Sequence, residues 1–277
     1  MLYLAQDLNK DLAKDLAKDN FDDIINKIYE YPSQIVRDVD NRKTFKVTIN
    51  QKDYFIKHHN FQPYSKTIKE VLKNYLNLKK PVLSAINEVK AIHKLEEIGV
   101  DTMKVSGYGL NQKNLLKNNS FIITESLEPA ESLENLDLIL SQCSKKDKFN
   151  LKRKIIKNVA EITRKLHDNY LIHQDYYLCH FLFKDGNLYL IDLHRMQKVN
   201  KYLFKSKKLK ELADLYYSSM TVKAVTKFDI FYFLKCYYNE NSIRAIFKDS
   251  FKKTDREKIE ARSQRLYYKA VRKNIIR

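Results

Sequence analysis

Glycine is scarce in this chain. Its 277 residues include four: Gly99, Gly107, Gly109 and Gly186. None falls before residue 99, so an N-terminal glycine-rich loop that brings backbone N–H groups close to a phosphate is excluded. Cysteine is as sparse. Cys143, Cys179 and Cys236 lie far apart with no C-x-x-C pair. That argues against a zinc site and a disulfide framework, and fits a reducing cytosol. No apolar run approaches the ~18 residues that a membrane span needs, and no signal peptide is expected. Acids are outnumbered: 34 Asp and Glu face 52 Lys and Arg, a net charge of +18. Such an excess implies an anionic partner: nucleic acid, a nucleotide, a phosphorylated sugar or an anionic membrane surface. A general bias towards Lys, Asn and Ile is the competing explanation. The chain is long enough to bury a large core, as one body or two lobes.

What is present is concentrated in Leu171–Arg195, LIHQDYYLCHFLFKDGNLYLIDLHR. Two short apolar runs flank Lys184-Asp-Gly-Asn187, the signal of a hairpin. The hairpin is expected to hold Asp175 on the loop entering it and Asp192 on the loop leaving it, bringing two carboxylates to one end. Phosphoryl transfer in a kinase fold uses such a pair. One carboxylate orients the acceptor hydroxyl and takes its proton, and the other holds a metal against the nucleotide phosphates. The H-R-D-x-x-x-x-N pattern aligns with His173-Gln174-Asp175, with His180 in the Asn position. D-F-G aligns with Asp192-Leu193-His194. Neither match is complete, and a hairpin with acids at its turns is the plain alternative.

The rest of the chain can be placed around this stretch. The first twenty residues repeat Asp-Leu-x-Lys with period four, so Leu4, Leu8, Leu12 and Leu16 share a face; a solvated helix is expected. Ile35 to Ile56 alternates as strands, with a turn at Asn50–Asp53. Lys57 closes the second strand, the position from which a kinase lysine reaches the α- and β-phosphates. Arg42 and Lys43 sit where the glycine loop would be and are expected to supply charge in place of backbone contacts. His58 to Pro81 reads as a basic, aromatic insert with a surface helix, and its adjacent histidines do not suit a metal. Leu83–Ile98 is helical by periodicity, ends at Gly99, and offers Glu88 as the partner of Lys57. Phe121–Thr124 is a strand leading to a hinge, where the backbones of Glu125 and Leu127 would read adenine. Phe149–Tyr170, Lys207–Met220, Lys227–Tyr238 and Arg256–Ile276 are expected helices. His167 is expected to be structural. Asp214 is expected either to brace the catalytic loop or to lie on the surface. The basic run from Lys252 to Lys273 is the candidate membrane-facing side, with a solvated helix face as its alternative.

Five stretches carry a family likeness: YFIKHH (54–59), LNLKKPVLSAINEVKAIHKLEEIGVDT (76–102), SFIITESLEPAESLENL (120–136), HQDYYLCHFLF (173–183) and LYLIDLHRMQ (188–197). The chain resembles the lipopolysaccharide core heptose kinases from about Arg37 onward. The likeness accounts for His180 and His194 at the two mismatched positions. Gln174, where the family usually has Arg, and Asn41, where Gly is common, depart from it. The resemblance implies an α+β, protein-kinase-like two-lobe fold. Its small N-lobe would have an antiparallel sheet plus a helix, and its larger C-lobe would be mainly helical. Residues 1–30 are expected as a charged helical extension, 31–125 as the N-lobe and 126–277 as the C-lobe. It implies ATP and Mg²⁺ as cofactors, Asp175 as the catalytic acid residue, and Lys57, Glu88, His180 and Asp192 as holders of nucleotide and metal. The implied reaction is phosphorylation of a heptose, the first of the inner core, by a cytoplasmic protein peripheral to an anionic inner-leaflet surface, with no nucleic-acid partner. A kinase for another core sugar such as Kdo, or a non-catalytic lipopolysaccharide- or nucleotide-binding relative, are the alternatives. A protein kinase would normally carry an activation segment ending near A-P-E, and none is present.

Overall fold

The computed structural model describes residues 1–6, 8, 12, 20–39, 42–61, 85–114 and 117–273. Most of the basic, aromatic insert and its expected helix, Asn41, Leu16 and most of the Asp-Leu-x-Lys repeat lie outside the described residues. The chain forms two compact units. One comprises Met1–Lys94 and Met103–Glu128, the other Leu95–Thr102 and Pro129–Arg277.

The first unit is built on a six-stranded antiparallel sheet. Its strands are β1 (Leu2–Leu4), β2 (Ser33–Val39), β3 (Arg42–Ile49), β4 (Lys52–Phe61), β5 (Val105–Asn114) and β6 (Lys117–Glu125), in the order β1-β5-β6-β4-β3-β2. Two residues, Asn50 and Gln51, both at positive φ, make the β3–β4 turn. It is tighter than expected, because Lys52 and Asp53 already pair as strand. Helix α1 (Phe21–Glu30) is capped by Asn20, whose side chain accepts from the amides of Asp22 and Asp23 while Asp23 accepts from the Asn20 amide. This reciprocal cap fixes where the helix starts. Phe21, Ile24, Ile25 and Ile28 then recur at helical spacing and are buried.

The described leucines of the N-terminal segment do not lie in solvent, as a solvated helix would place them. Leu4, Leu8 and Leu12 join the α1 residues in one core with Phe45, Val47, Ile49, Tyr54, Ile56, Phe121 and Ile123. The leucine period marked a buried stripe, because β1 adds to the sheet edge by pairing with β5 at Gly107 and Gly109. Gly109 is required there, since a Cβ would overlap the Phe121 ring and meet Phe21 at 3.0 Å.

The second unit is mainly helical. After β7 (Glu131–Ser132) come α3 (Leu136–Ser141), α4 (Lys145–Asp168), α5 (Lys201–Met220), α6 (Lys227–Tyr238) and α7 (Lys253–Arg272); α2 (Ile86–Glu97) crosses from the first unit's segment into the second's. Ser144 caps α4 and Asn200 caps α5. Ala160, Leu212, Ala213, Leu234, Tyr237, Ile246, Phe251 and Ile259 form the core. Beside it is an apolar cavity of about 420 Å³, lined by Ile155, Val159, Leu215, Leu234, Phe247 and Phe251 among others. Among the described residues no helix is long and apolar enough to cross a membrane.

Leu12 is 0% exposed. Leu12→Ala is therefore expected to destabilise the protein by about 2–5 kcal/mol, the range for a leucine truncated in a core. Denaturant unfolding checks it; a change within about 0.5 kcal/mol, typical of a surface position, would return the segment to solvent.

Candidate active site

In the second unit, the hairpin is β9 (Phe181–Lys184) and β10 (Asn187–Leu190), with Lys184 opposite Asn187. Asp185 and Gly186 both have positive φ, as a two-residue type I′ turn requires. Beyond Phe181–Leu190 the pairing continues, because the Ile191 amide donates to the His180 carbonyl at 2.9 Å. That register brings His180 beside Asp192, with His180 Nε2 3.6 Å from Asp192 Oδ2. The stretch is closed at its ends by β8 (Leu171–Ile172), which pairs with β11 (Gln197–Lys198).

Asp175 sits on a heavily tethered loop. Gln174 precedes it at φ 77°. The Gln174 amide donates to Glu211 Oε1 at 2.7 Å, and its carbonyl accepts from Lys210 Nζ at 2.6 Å. Its side-chain amide donates to the Arg195 carbonyl at 2.8 Å. His173, fully buried, donates from Nε2 to the Ile191 carbonyl at 2.9 Å, so it joins the two acid-bearing loops. Burial pushes its imidazole pKa down.

Glu211 was not anticipated by the sequence reading. It is 0% exposed and also accepts from His167 Nε2 at 3.1 Å; His167 Nδ1 faces the Tyr237 hydroxyl at 2.7 Å. His167 is structural, as expected. Asp214 is buried rather than on the surface, but it does not touch the loop backbone. Its carboxylate holds Lys210 at 2.6 Å and Arg262 at 2.7 Å, and acts on the loop through Lys210. Burial pushes the Asp214 carboxyl up, against the pull of those two cations. The loop's direct anchors are Glu211, one helical turn earlier, and its neighbour Lys210. The one sequence signal for Glu211 was an acid at helical spacing from Asp214.

Asp175 and Asp192 differ in their neighbours. One nitrogen of Arg195, Nη1, donates to both oxygens of Asp175, at 3.1 and 2.9 Å. Gln174 therefore leaves no gap in charge, since Arg195 supplies the cation from the other end of the stretch. Asp192 lies at φ 58° and accepts from His194 Nδ1 at 2.6 Å on Oδ1. His180 Nδ1 faces the Asp175 carbonyl at 2.6 Å. A carbonyl only accepts, so Nδ1 carries the proton, and in neutral His180 Nε2 presents a lone pair to Asp192 Oδ2. Two acceptors facing each other suit a cation held by both, which is the donor set expected for His180 and Asp192. Among the described residues no group of three or more His, Cys, Asp or Glu gathers to hold a metal, so His180 and Asp192 stand here as a pair. Tyr177, half-buried after Asp175, has its phenol pushed up to about 12, chiefly by burial.

In the first unit, Lys57 on β4 is bonded through Nζ to Glu88 Oε1 at 2.7 Å. Glu88 is fully buried, so removal of Lys57 would strand a carboxylate. Arg42 and Lys43 begin β3; Lys43 Nζ is 3.7 Å from Asp38 and 5.9 Å from the Tyr29 ring centre. Glu125 ends β6, its side chain on Lys52 and Lys104 and its amide donating to the Lys104 carbonyl at 3.0 Å. Its amide is therefore committed, whereas the Leu127 amide has no partner among the described residues.

Glu211→Gln replaces one accepting oxygen with a donor in a site where both neighbours donate. It is expected to cost about 1–3 kcal/mol, the usual penalty for a buried unsatisfied group. Denaturant unfolding measures it, and a change below about 0.5 kcal/mol, a surface-like value, would remove Glu211 as the anchor.

The model of the "Lipopolysaccharide kinase (Kdo/WaaP) family" matches residues 26–237. "Lipopolysaccharide core heptose(I) kinase WaaP" of Escherichia coli strain K12 is 36% identical over 224 residues, covering 78% of this chain and 82% of that protein. Another protein of that name from Escherichia coli is 33% identical over 263 residues, 91% and 94% of the two chains. The Pseudomonas aeruginosa protein of that name is 33% identical over 226 residues, 78% and 80%. The solved structure "WaaP in complex with acyl carrier protein" covers 96% of this chain and 99% of its own, at 24% identity and a TM-score of 0.72. That likeness confirms the expected protein-kinase-like α+β fold. The matched span and the identities together show that the chain belongs to the lipopolysaccharide kinase (Kdo/WaaP) family.

Proposed function

We propose that the chain is an ATP-dependent kinase that phosphorylates the first heptose of the lipopolysaccharide inner core. The observation that carries this reading is the single hydrogen-bonded frame that fixes Asp175 and Asp192 together, in a chain 33–36% identical to heptose(I) kinases. Lys57, held by Glu88, takes the α- and β-phosphates, and Arg42 and Lys43 add charge to the same end of the nucleotide. The Glu125 carbonyl and the free Leu127 amide read the adenine edge. Asp175 orients the acceptor hydroxyl and takes its proton. The acceptor oxygen bonds to the γ-phosphorus as the bond to the β–γ bridging oxygen breaks, and that oxygen leaves on ADP with the electron pair.

Asp192 and His180 are the residues that would hold Mg²⁺, which supplies neutralisation of the charge on the β- and γ-phosphate oxygens. Mg²⁺ prefers oxygen and imidazole suits softer metals, so the same pair would also accept Mn²⁺.

The acceptor is a lipid-linked, anionic sugar, so a membrane-facing side follows from the reading. On α7, Arg262 is turned inward to Asp214 and Arg256 packs on Phe247, so neither can serve it. Lys258, Arg265, Lys269 and Arg272 are exposed. Each basic residue near an anionic surface contributes about 1 kcal/mol, so these four are enough for peripheral docking. Co-sedimentation with phosphatidylglycerol vesicles, lost in a Lys258→Glu, Arg265→Glu, Lys269→Glu variant, is expected. Equal binding to phosphatidylcholine vesicles would count against it.

The central test follows phosphate transfer from ATP to core lipopolysaccharide. Wild type is expected to label heptose, and Asp175→Ala is expected to lose at least about 10²-fold in kcat, the lower range for a proton-transfer group. An Arg42→Ala, Lys43→Ala variant should raise the KM for ATP. Labelling of an octulosonic sugar instead would replace the acceptor, and ATP binding without transfer would leave a binding protein.

A further inference from the structure

Arg195 carries more than its contact with Asp175 requires. Nη1 alone makes that contact, while Nε and Nη2 have no partner among the described residues. The side chain is 40% exposed. Its backbone, by contrast, is fixed. Gln174 holds the Arg195 carbonyl, and the turn Leu193–Arg195 is pinned by Leu193, which is completely buried. A rigid root therefore presents an open guanidinium edge beside the catalytic carboxylate. A half-exposed ion pair of this kind contributes little to stability, so folding alone does not account for it.

The chemistry of that edge is specific. Nε–H and Nη2–H point in parallel and match two oxygens of one carboxylate or phosphoryl group. A need for such a group follows from charge. The Asp175 carboxylate and a γ-phosphoryl group are both anionic and must come within reach of the same hydroxyl. A cation bonded to both offsets their repulsion. The motif position that normally carries arginine holds Gln174 here, and Gln174 instead anchors Arg195.

We propose that Arg195 is an oxyanion receptor: its Nε–Nη2 edge binds an anionic group next to Asp175 while Nη1 keeps the carboxylate oriented. The proposal rests on the kinase reading above. The same chemistry has two sources, the γ-phosphoryl group of the donor or a carboxylate on the acceptor.

Steady-state transfer by the full chain distinguishes them, with ATP and with native or carboxyl-reduced core lipopolysaccharide, for wild type, Arg195→Gln and Arg195→Lys. Arg195→Gln is expected to lose about 10²-fold in kcat/KM, as when one oxyanion donor is removed. Arg195→Lys, which keeps charge but not the fork, should recover part of it. A fall in kcat with the acceptor KM unchanged assigns the γ-phosphoryl group. A rise in acceptor KM that disappears with carboxyl-reduced acceptor assigns the carboxylate. Thermal midpoints of the variants should stay at the wild-type value. Kinetic constants of Arg195→Gln within twofold of wild type would overturn the proposal, and so would losses in both variants that track a falling midpoint. Absence of sugar phosphorylation by wild type itself is a separate outcome; it removes the kinase reading, and the receptor with it.

Discussion

A carboxylate taken out of water must have its oxygens bonded, and Glu211 meets that demand with the backbone that leads into Asp175. One oxygen takes the Gln174 amide and the other takes His167. Uncompensated, such an ion would be costly. Compensated in this way, its requirement becomes a positional constraint on Asp175. Lys210 applies the same logic with opposite sign, because its amine is shared between Asp214 and the Gln174 carbonyl. The loop is thus held at N–H and C=O by two neighbouring residues of one helix, and it inherits the rigidity of α5.

That grip explains the backbone geometry. Gln174 and Asp192 both lie in the left-handed region without being glycine, at a cost of order 1–3 kcal/mol each. Their neighbours over-determine them. Gln174 is tethered at its amide, its carbonyl and its side chain, and Asp192 follows a residue bonded on both sides, by His180 and His173. A glycine at Gln174 would ease the torsion but lose the tether to Arg195. The strain and the site share the same bonds.

Patterns with a short period or a specific turn were legible in the sequence. Asp-Gly between apolar runs announced the hairpin, and helical periodicity announced α2 and α4, because local chemistry decides those features. Glu88 was found because it lies beside the buried face of a periodic helix, where a strand-ending lysine would meet a carboxylate. Glu211 and Arg195 were not assigned roles. Their significance depends on which backbone groups they meet across 37 and 20 residues of chain, and no local pattern encodes that. The N-terminal leucines show the converse. Their period was plain, but charges around them suggested solvent, and only the sheet edge at Gly107 and Gly109 decided for burial.

The charge excess needs the same discrimination. Pairing removes one acid with each base only when pairs are simple. Here Asp214 holds both Lys210 and Arg262, and Glu125 holds both Lys52 and Lys104, so these sites absorb more cations than acids. Part of the +18 is therefore spoken for by the fold, and the basic run of α7 loses Arg262 to it. Arg195 belongs to both accounts. Its partner is an acid of the chain, yet that acid is the one proposed to take the acceptor's proton, so the pair is not classed as structural alone. The physically informative cations are those whose partner has a second task, and they are found by following the carboxylates, not by counting lysines.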